Sequence, residues 1–159
     1  MKIIIVGAGA VGTHLSKLLS REHQDCVLID ADDERLAKMS EYDVMTYCAS
    51  PTSIKALKEA GVQNADLFVG VTPEESININ ACILAHALGA KKTVARIDNY
   101  EYLAPGLQQF FKNLGLDSLI YPEVLAAIDI NNGLKLSWVR QRWDVHESKI
   151  GRASCRERV

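Results

Sequence analysis

Long apolar runs are missing from this sequence: none approaches the roughly twenty residues that a membrane span needs. A signal-peptide pattern is missing too, because a strand-like run begins at Lys2. Together these absences predict a cytoplasmic chain. An excess of one charge sign is also lacking. Eighteen Lys and Arg against 20 Asp and Glu leave a formal net charge of −2, which excludes a nucleic-acid or membrane-surface role carried by bulk electrostatics. Cysteines are few, and Cys26, Cys48, Cys82 and Cys155 form neither a Cys-x-x-Cys pair nor a regular spacing. That excludes a disulfide or zinc framework. Cys26 and Cys48 sit in strand-like runs and Cys82 on an apolar helix face, where buried small hydrophobes are expected. There is no low-complexity linker and no internal repeat.

Catalytic constellations are equally scarce. His14 falls on the first helix, His23 in the loop after it, His86 on the fourth helix and His146 in the C-terminal stretch, none with a clear partner. No Ser-His-Asp or Cys-His arrangement suggests itself, and no metal-ligand set is expected. The paired acids Asp32-Asp33 and Glu74-Glu75 read first as helix-start residues. A dehydrogenase would need a second substrate-binding region and a proton-transfer group. The pattern described next occupies most of the chain, so no catalytic residue is assigned.

What the sequence does contain is a nucleotide-binding fingerprint. With 159 residues, 48% apolar and 24% charged, the chain is long enough for one domain with a sizeable core. Its organising stretch is Ile3 to Gly12, an apolar β-branched run leading into Gly-x-Gly-x-x-Gly and then a helical pattern of Val11, Leu15, Leu18 and Leu19. Gly7 is expected to make the turn, Gly9 to let the backbone approach a pyrophosphate, and Gly12 to let the helix pack closely on the strand. The free N–H groups of the helix start then face an anion. A second apolar run, Cys26 to Ile29, ends in Asp30 at the spacing the fingerprint requires. A carboxylate there accepts the ribose hydroxyls of an adenosine and repels the 2′-phosphate of NADP; the other reading is that Asp30 only caps the next helix.

Apolar runs alternate with helical patterns along the chain. Strands are predicted at Lys2–Val6, Cys26–Ile29, Val44–Cys48, Leu67–Val71, Thr93–Ile97 and Leu119–Tyr121. Helices are predicted near Val11–Arg21, Asp33–Tyr42 and Thr52–Ala60, the last closed by Gly61. Thr72 and Pro73 are read as the N-cap and first position of a fourth helix that ends at Gly89. Pro105 and Gly106 break Tyr100–Leu114 into two short pieces, and Asn131-Asn132-Gly133 stops or bends the helix after Pro122. The fold class is therefore α/β: a Rossmann-like, doubly wound, six-stranded parallel sheet in the order 3-2-1-4-5-6 with helices on both faces.

Several motifs go beyond the glycine fingerprint. The opening Met1 to Gly12, Asp30 with Arg35 just after it, Glu59-Ala60-Gly61, Ala65 to Thr72, Asn78 and Ala95-Arg96-Ile97 resemble the N-terminal nucleotide-binding domain of TrkA. TrkA is the cytosolic regulatory subunit of bacterial Trk potassium uptake, and the domain type is called RCK or KTN. The resemblance covers about Met1 to Asn132. It implies that Gly7, Ala8, Gly9, Ala10, Val11 and Gly12 hold a diphosphate, that Asp30 takes the adenosine ribose, and that Ala31, Asp32 and Arg35 belong to the same cofactor site. Ser50 and Thr52 fall where the family has a Gly-Asp-Ala-Thr-like turn on the adenine side; here the turn is Ala49-Ser50-Pro51-Thr52, without its Gly and Asp. Thr72 and Pro73 would line the crevice after strand four. Arg96 would face phosphate or the second nucleoside, a task that suits a planar, permanently charged guanidinium; the other reading of Arg96 is a salt bridge to a strand-end acid.

The cofactor that the resemblance implies is NAD or NADH, or an adenine nucleotide (ATP, ADP or AMP). The function implied is ligand-controlled gating with no bond made or broken. Domains of this family dimerise and form a ring beneath a membrane-embedded potassium channel or transporter subunit, here a TrkH-like partner. A whole subunit of this type carries tandem nucleotide domains, so the chain is expected to be one part of it. Residues 1–133 are assigned to the nucleotide-binding domain and 134–150, with Leu136, Trp138, Val139 and Trp143, to a linker or dimer-packing segment. Residues 151–159 resemble read-through from an expression vector. The competing classes are a small NAD-dependent oxidoreductase and a Rossmann-type redox sensor. The latter would need a helix-turn-helix module to bind DNA, and neither the charge nor the order of elements offers one.

Overall fold

The computed structural model describes residues 1–135. Six strands, β1 (Lys2–Val6), β2 (Asp25–Asp30), β3 (Met45–Cys48), β4 (Leu67–Gly70), β5 (Thr93–Arg96) and β6 (Ser118–Ile120), form one sheet in the order β3-β2-β1-β4-β5-β6. Every neighbouring pair is parallel. Between them run α1 (Ala10–Arg21), α2 (Asp33–Ala37), α3 (Ile54–Glu59), α4 (Glu75–Ala87) and α5 (Leu107–Asn113). Single 3-10 turns occupy Val62–Asn64 and Tyr100–Leu103. Met1–Pro122 is one compact unit; α6 (Pro122–Lys135) enters the second.

The continuous apolar strands follow from a sheet covered on both faces. Ile4, Val6, Val27, Ile29 and Phe68 pack on one face with Leu57 of α3 and Ala81, Cys82 and Ala85 of α4. Ile3, Ile5, Cys26, Leu28 and Val69 pack on the other with Leu15 and Leu19 of α1 and Leu36 of α2. Alternation along a strand assigns neighbours to opposite sides, and the register keeps each row on one side: Ile4 pairs with Val27 and with Phe68. At roughly 25 cal/mol per Å² of apolar surface, these two layers are the main source of folding free energy.

The fold class and strand order are those the sequence predicts. Some local expectations are corrected. The helix after Asp30 ends at Ala37, well short of Tyr42, although Met39 and Tyr42 still pack on the sheet as a turn-rich segment. The helix after β3 starts at Ile54 because the Ser53 hydroxyl caps it, accepting the Ala56 amide at 3.3 Å. Gly61 closes that segment in the left-handed region, with φ +78°, as expected. Pro105 and Gly106 do separate the 3-10 turn from α5. Asn131-Asn132-Gly133 does not stop α6, which runs to Lys135. Cys48 is exposed, because β3 is an edge strand, whereas Cys26 and Cys82 are buried. The assignments made for residues 136–159, including Leu136, Trp138, Val139, Trp143 and the segment 151–159, lie outside the described residues.

Candidate functional site

The C-terminal ends of β1, β2, β4 and β5 bring most of the sequence-predicted residues to one edge of the sheet. Val6, Ile29, Gly70 and Ala95 share a row, so Gly7, Asp30, Val71 and Arg96 form the next one. Gly7 needs to be glycine twice over. Its φ is +105°, and a Cβ there would lie 2.8 Å from the Thr72 nitrogen. Gly7 also donates its amide to the Ile29 carbonyl at 2.8 Å, which continues the ladder into the turn. A Cβ on Gly12 would fall onto the Gly7 carbonyl, so that glycine lets α1 sit against the turn.

Gly9 is different. Its φ of −72° suits any residue, and a Cβ there meets no protein atom within 4 Å. Nothing in the described fold requires glycine at this position; open space lies over it. Gly9 is the N-cap of α1, offers no side-chain acceptor, and no acid follows in the first turn. The N–H groups of Ala10, Val11 and Gly12 are thus the open donors of a twelve-residue helix, with the positive end of its dipole behind them. Ala10 and Val11 are exposed.

Asp30 is buried, and its carboxylate holds this turn in place. Oδ2 accepts the Ala8 amide at 2.5 Å and Oδ1 accepts the Asp32 amide at 2.9 Å. Each oxygen keeps a second lone pair. Ala31 is exposed beside it, and its carbonyl lies 3.7 Å from the Cys48 thiol, which points to it. The helix cap is Asp32 rather than Asp30: it accepts the Glu34 and Arg35 amides and pairs with Arg35 Nε at 3.0 Å. Ser50 and Thr52 lie just past β3, their hydroxyls 3.2 Å apart, and the Ser50 hydroxyl also accepts the Thr52 amide.

Thr72 and Pro73 do not open α4. The N-cap is Glu74. Thr72 is buried and bound to Asn78: its amide and hydroxyl both donate to Asn78 Oδ1, at 2.8 and 2.7 Å. Asn78 Nδ2 donates in turn to the carbonyls of Thr72 and Arg96, each at 3.0 Å. Fully buried Asn78 therefore ties the ends of β4 and β5 to α4; in the sequence it stood out only among the motifs of the family resemblance. Gly70 admits this contact, since a Cβ there would crowd Asn78 at 3.1 Å.

Arg96 makes the ion pair of its second reading, with Nη2 at 2.8 Å from Asp98 Oδ1, while its Nε is buried without a partner. Glu75, read from the sequence only as a helix-start acid, accepts the amides of Asp98 and Asn99 on one oxygen, both at 2.8 Å. Neither Asp98 nor Asn78's bonding was foreseen. Of the buried thiols, Cys82 is pushed up to about 12 by desolvation, and burial raises Cys26 against a partly offsetting contact with Ser16. Both are structural. Among the described residues, no group of three or more His, Cys, Asp or Glu could hold a metal ion, and no helix is long and apolar enough to cross a membrane.

The geometry has close parallels. The TrkA-N domain family model matches residues 3–122. The TrkA potassium uptake protein of Haemophilus influenzae is 41% identical over 133 residues, and a TrkA homologue of Archaeoglobus fulgidus 36% over 127 residues. These alignments cover 82% and 80% of this chain, and the chain spans 29% of each relative's length. Among solved structures, the TrkA-N domain of the inner membrane protein ybaL from Escherichia coli superposes with a TM-score of 0.72 at 17% identity, covering 84% of this chain and 96% of that one. The NAD-bound GsuK channel gives 0.62 at 17% identity, covering 75% of this chain and 21% of that one. The AMP-bound Kef C-terminal domain of Shewanella denitrificans gives 0.64 at 20% identity, covering 88% and 84%. At these identities the solved structures bear on the fold. The family match and the relatives establish that this chain belongs to the TrkA-N domain family.

Proposed function

We propose that this domain binds an adenine nucleotide, NAD or NADH or one of ATP, ADP and AMP, and uses it to regulate potassium uptake through a membrane partner of the TrkH type. The observation that carries this reading is Gly9: open space over a conformationally ordinary glycine, at the start of a helix whose amides have no acceptor. Phosphate is the ligand such a helix start suits. Asp30 stands beside it for the ribose, and Arg96 is the cation at the end of β5, two strands from β1. The named ligands of the GsuK and Kef structures, NAD and AMP, support the ligand class.

The role is regulatory rather than enzymatic. The crevice residues are backbone amides, a carboxylate whose two oxygens already accept the Ala8 and Asp32 amides, and a guanidinium, a set suited to binding and orienting a nucleotide. Gating then follows from differential affinity: a nucleotide shifts a conformational equilibrium by as much as its binding differs between two states. The domain works as a homodimer, in a larger ring, beneath its partner on the inner face of the membrane. Leu107 and Phe110 of α5, with Leu114 at its C-cap, support the pairing, for they are exposed at helical spacing on one stripe. So do Leu125, Ile128 and Ile130 of α6.

Calorimetric titration of the purified domain with NAD, NADH, NADPH, ATP, ADP, AMP and adenosine tests the ligand class. Saturable binding of at least one of the adenine nucleotides is expected. Absence of heat with all of them would overturn the reading.

A further inference from the structure

The Arg96 guanidinium is held by one contact and left unsatisfied at another. Nη2 donates to Asp98 Oδ1 at 2.8 Å, whereas Nε is buried with no acceptor. A buried N–H without a partner is rare and costly. Arginine holds oxyanions best through two parallel bonds of its planar fork, and Asp98 engages it through Nη2 alone.

Strand alternation says where this side chain goes. Val94 packs in the layer with α1 and α2, and Ala95 in the opposite layer. Arg96 therefore projects on the α1 side. Val71 stands between it and the glycine turn, with Val71 Cγ2 at 3.3 Å from a Cβ placed on Gly12. Arg96 thus flanks the N-terminus of α1, one strand beyond Val71.

Asp98 is not needed to hold its own loop. Its amide and that of Asn99 are fixed by Glu75, and Asn99 Oδ1 accepts the Glu101 amide at 2.9 Å. Its carboxylate side is 45% exposed, so the pair with Arg96 is easily surrendered to a better anion.

We propose that Asp98 is a resident competitor for Arg96: its carboxylate holds the guanidinium until the outer phosphate of a di- or triphosphate nucleotide displaces it. Asp98 then sets how strongly the site distinguishes phosphate-rich adenine nucleotides from adenosine. This rests on the nucleotide-binding reading above. A phosphate offers several oxygens to the fork, including an acceptor for the unpartnered Nε once the side chain turns.

The test is calorimetry of wild type, Asp98→Asn, Arg96→Gln and the double variant with ATP, ADP and adenosine, with Asp98→Ala as a second way to remove the charge. The Asp98 variants are expected to bind ATP and ADP about two- to fivefold more tightly, the range a half-exposed ion pair holds, with adenosine unchanged. The gain should vanish in the Arg96→Gln background. A gain that persists there is general electrostatics and overturns the proposal. Unchanged or weaker ATP and ADP binding in both Asp98 variants also overturns it, and leaves the nucleotide reading standing if wild type binds. If wild type binds none of the adenine nucleotides, both readings fall.

Discussion

Asp30 Oδ2 accepts the Ala8 amide at 2.5 Å, so the residue expected to hold a ribose also holds the glycine turn that would hold the phosphates. The two roles make distinct predictions. Asp30→Ala leaves the buried Ala8 amide without its acceptor, at a cost of about 1–3 kcal/mol in stability. The same change should weaken nucleotide binding by about 1.5–3 kcal/mol, the range for hydrogen bonds to a charged group. Asp30→Asn keeps one acceptor oxygen and should recover part of the stability while binding stays weak. Melting curves and calorimetry on both variants separate the roles, and unchanged affinity in both would remove Asp30 from the site. Wild type should also bind NADH more tightly than NADPH, because the carboxylate repels a 2′-phosphate; equal affinities would show that Arg35 compensates.

Gly9 and Gly12 should divide under substitution. Gly9→Val adds a branched side chain whose Cβ meets no protein atom within 4 Å, so melting should stay near wild type while nucleotide binding is lost. Gly12→Ala drives a Cβ onto the Gly7 carbonyl and should destabilise the fold by about 3 kcal/mol, the upper end for overpacking. A Gly9→Val domain that binds normally would place the ligand elsewhere.

These glycines also show how far the sequence could be read. Spacing alone gave the strand-turn-helix unit and the structural roles of Gly7 and Gly12, because a fingerprint is local in the chain. Alternation and crossover handedness gave the parallel sheet, and the order 3-2-1-4-5-6 followed from the dinucleotide fingerprint, whose folds share it. Legibility ended where side chains meet across sequence distance. Thr72 looked like an N-cap because Pro and two acids follow it, yet its amide and hydroxyl are claimed by Asn78, six residues on. Glu75 looked like a helix-dipole acid, and its real partners are amides 23 and 24 residues away. Cys48 looked buried because its run is strand-like; that β3 is an edge strand emerges only from the assembled sheet.

Asn78 should be among the most sensitive polar positions in the domain. It is fully buried, and Asn78→Ala would strand the Thr72 amide and two carbonyls. A loss of about 3 kcal/mol is expected from at least one buried unsatisfied donor plus the lost contacts. Denaturant midpoints measure it. A variant within about 0.5 kcal/mol of wild type, the range of ordinary surface changes, would show that the three-way tie carries no weight.

Alkaline pH should expose the buried thiols. Cys82 is raised to about 12, so the folded state holds its proton more tightly than the unfolded chain. The stability this represents is complete below the unfolded value, about 8.5. It is lost as pH climbs toward 12, at up to about 1.4 kcal/mol per pH unit. Cys82→Ala lowers stability at all pH by leaving a small void, but its stability should fall less steeply above pH ~9. Parallel wild-type and variant curves would refute the assignment.

The dimer reading is most directly tested on α5. Phe110 is 53% exposed, while its neighbour Phe111 is buried and packs edge-on against both Phe110 and Tyr102, at centroid distances of 5.3 and 5.5 Å. Phe111 thus anchors the helix, and Phe110 presents its ring outward with Leu107 and Leu114. Phe110→Glu places a charge in the middle of that stripe and gives up only one edge contact of Phe111, which keeps its packing on Tyr102, so the fold should persist. In an isologous pairing each such residue acts twice, once from each copy, and two charges would then face an apolar surface. Light scattering at tens of micromolar should give a dimer for wild type and a monomer for Phe110→Glu, with far-ultraviolet circular dichroism unchanged. A wild-type monomer at that concentration, with or without nucleotide, would sink the dimer. A Phe110→Glu protein that stays dimeric would move the interface off α5.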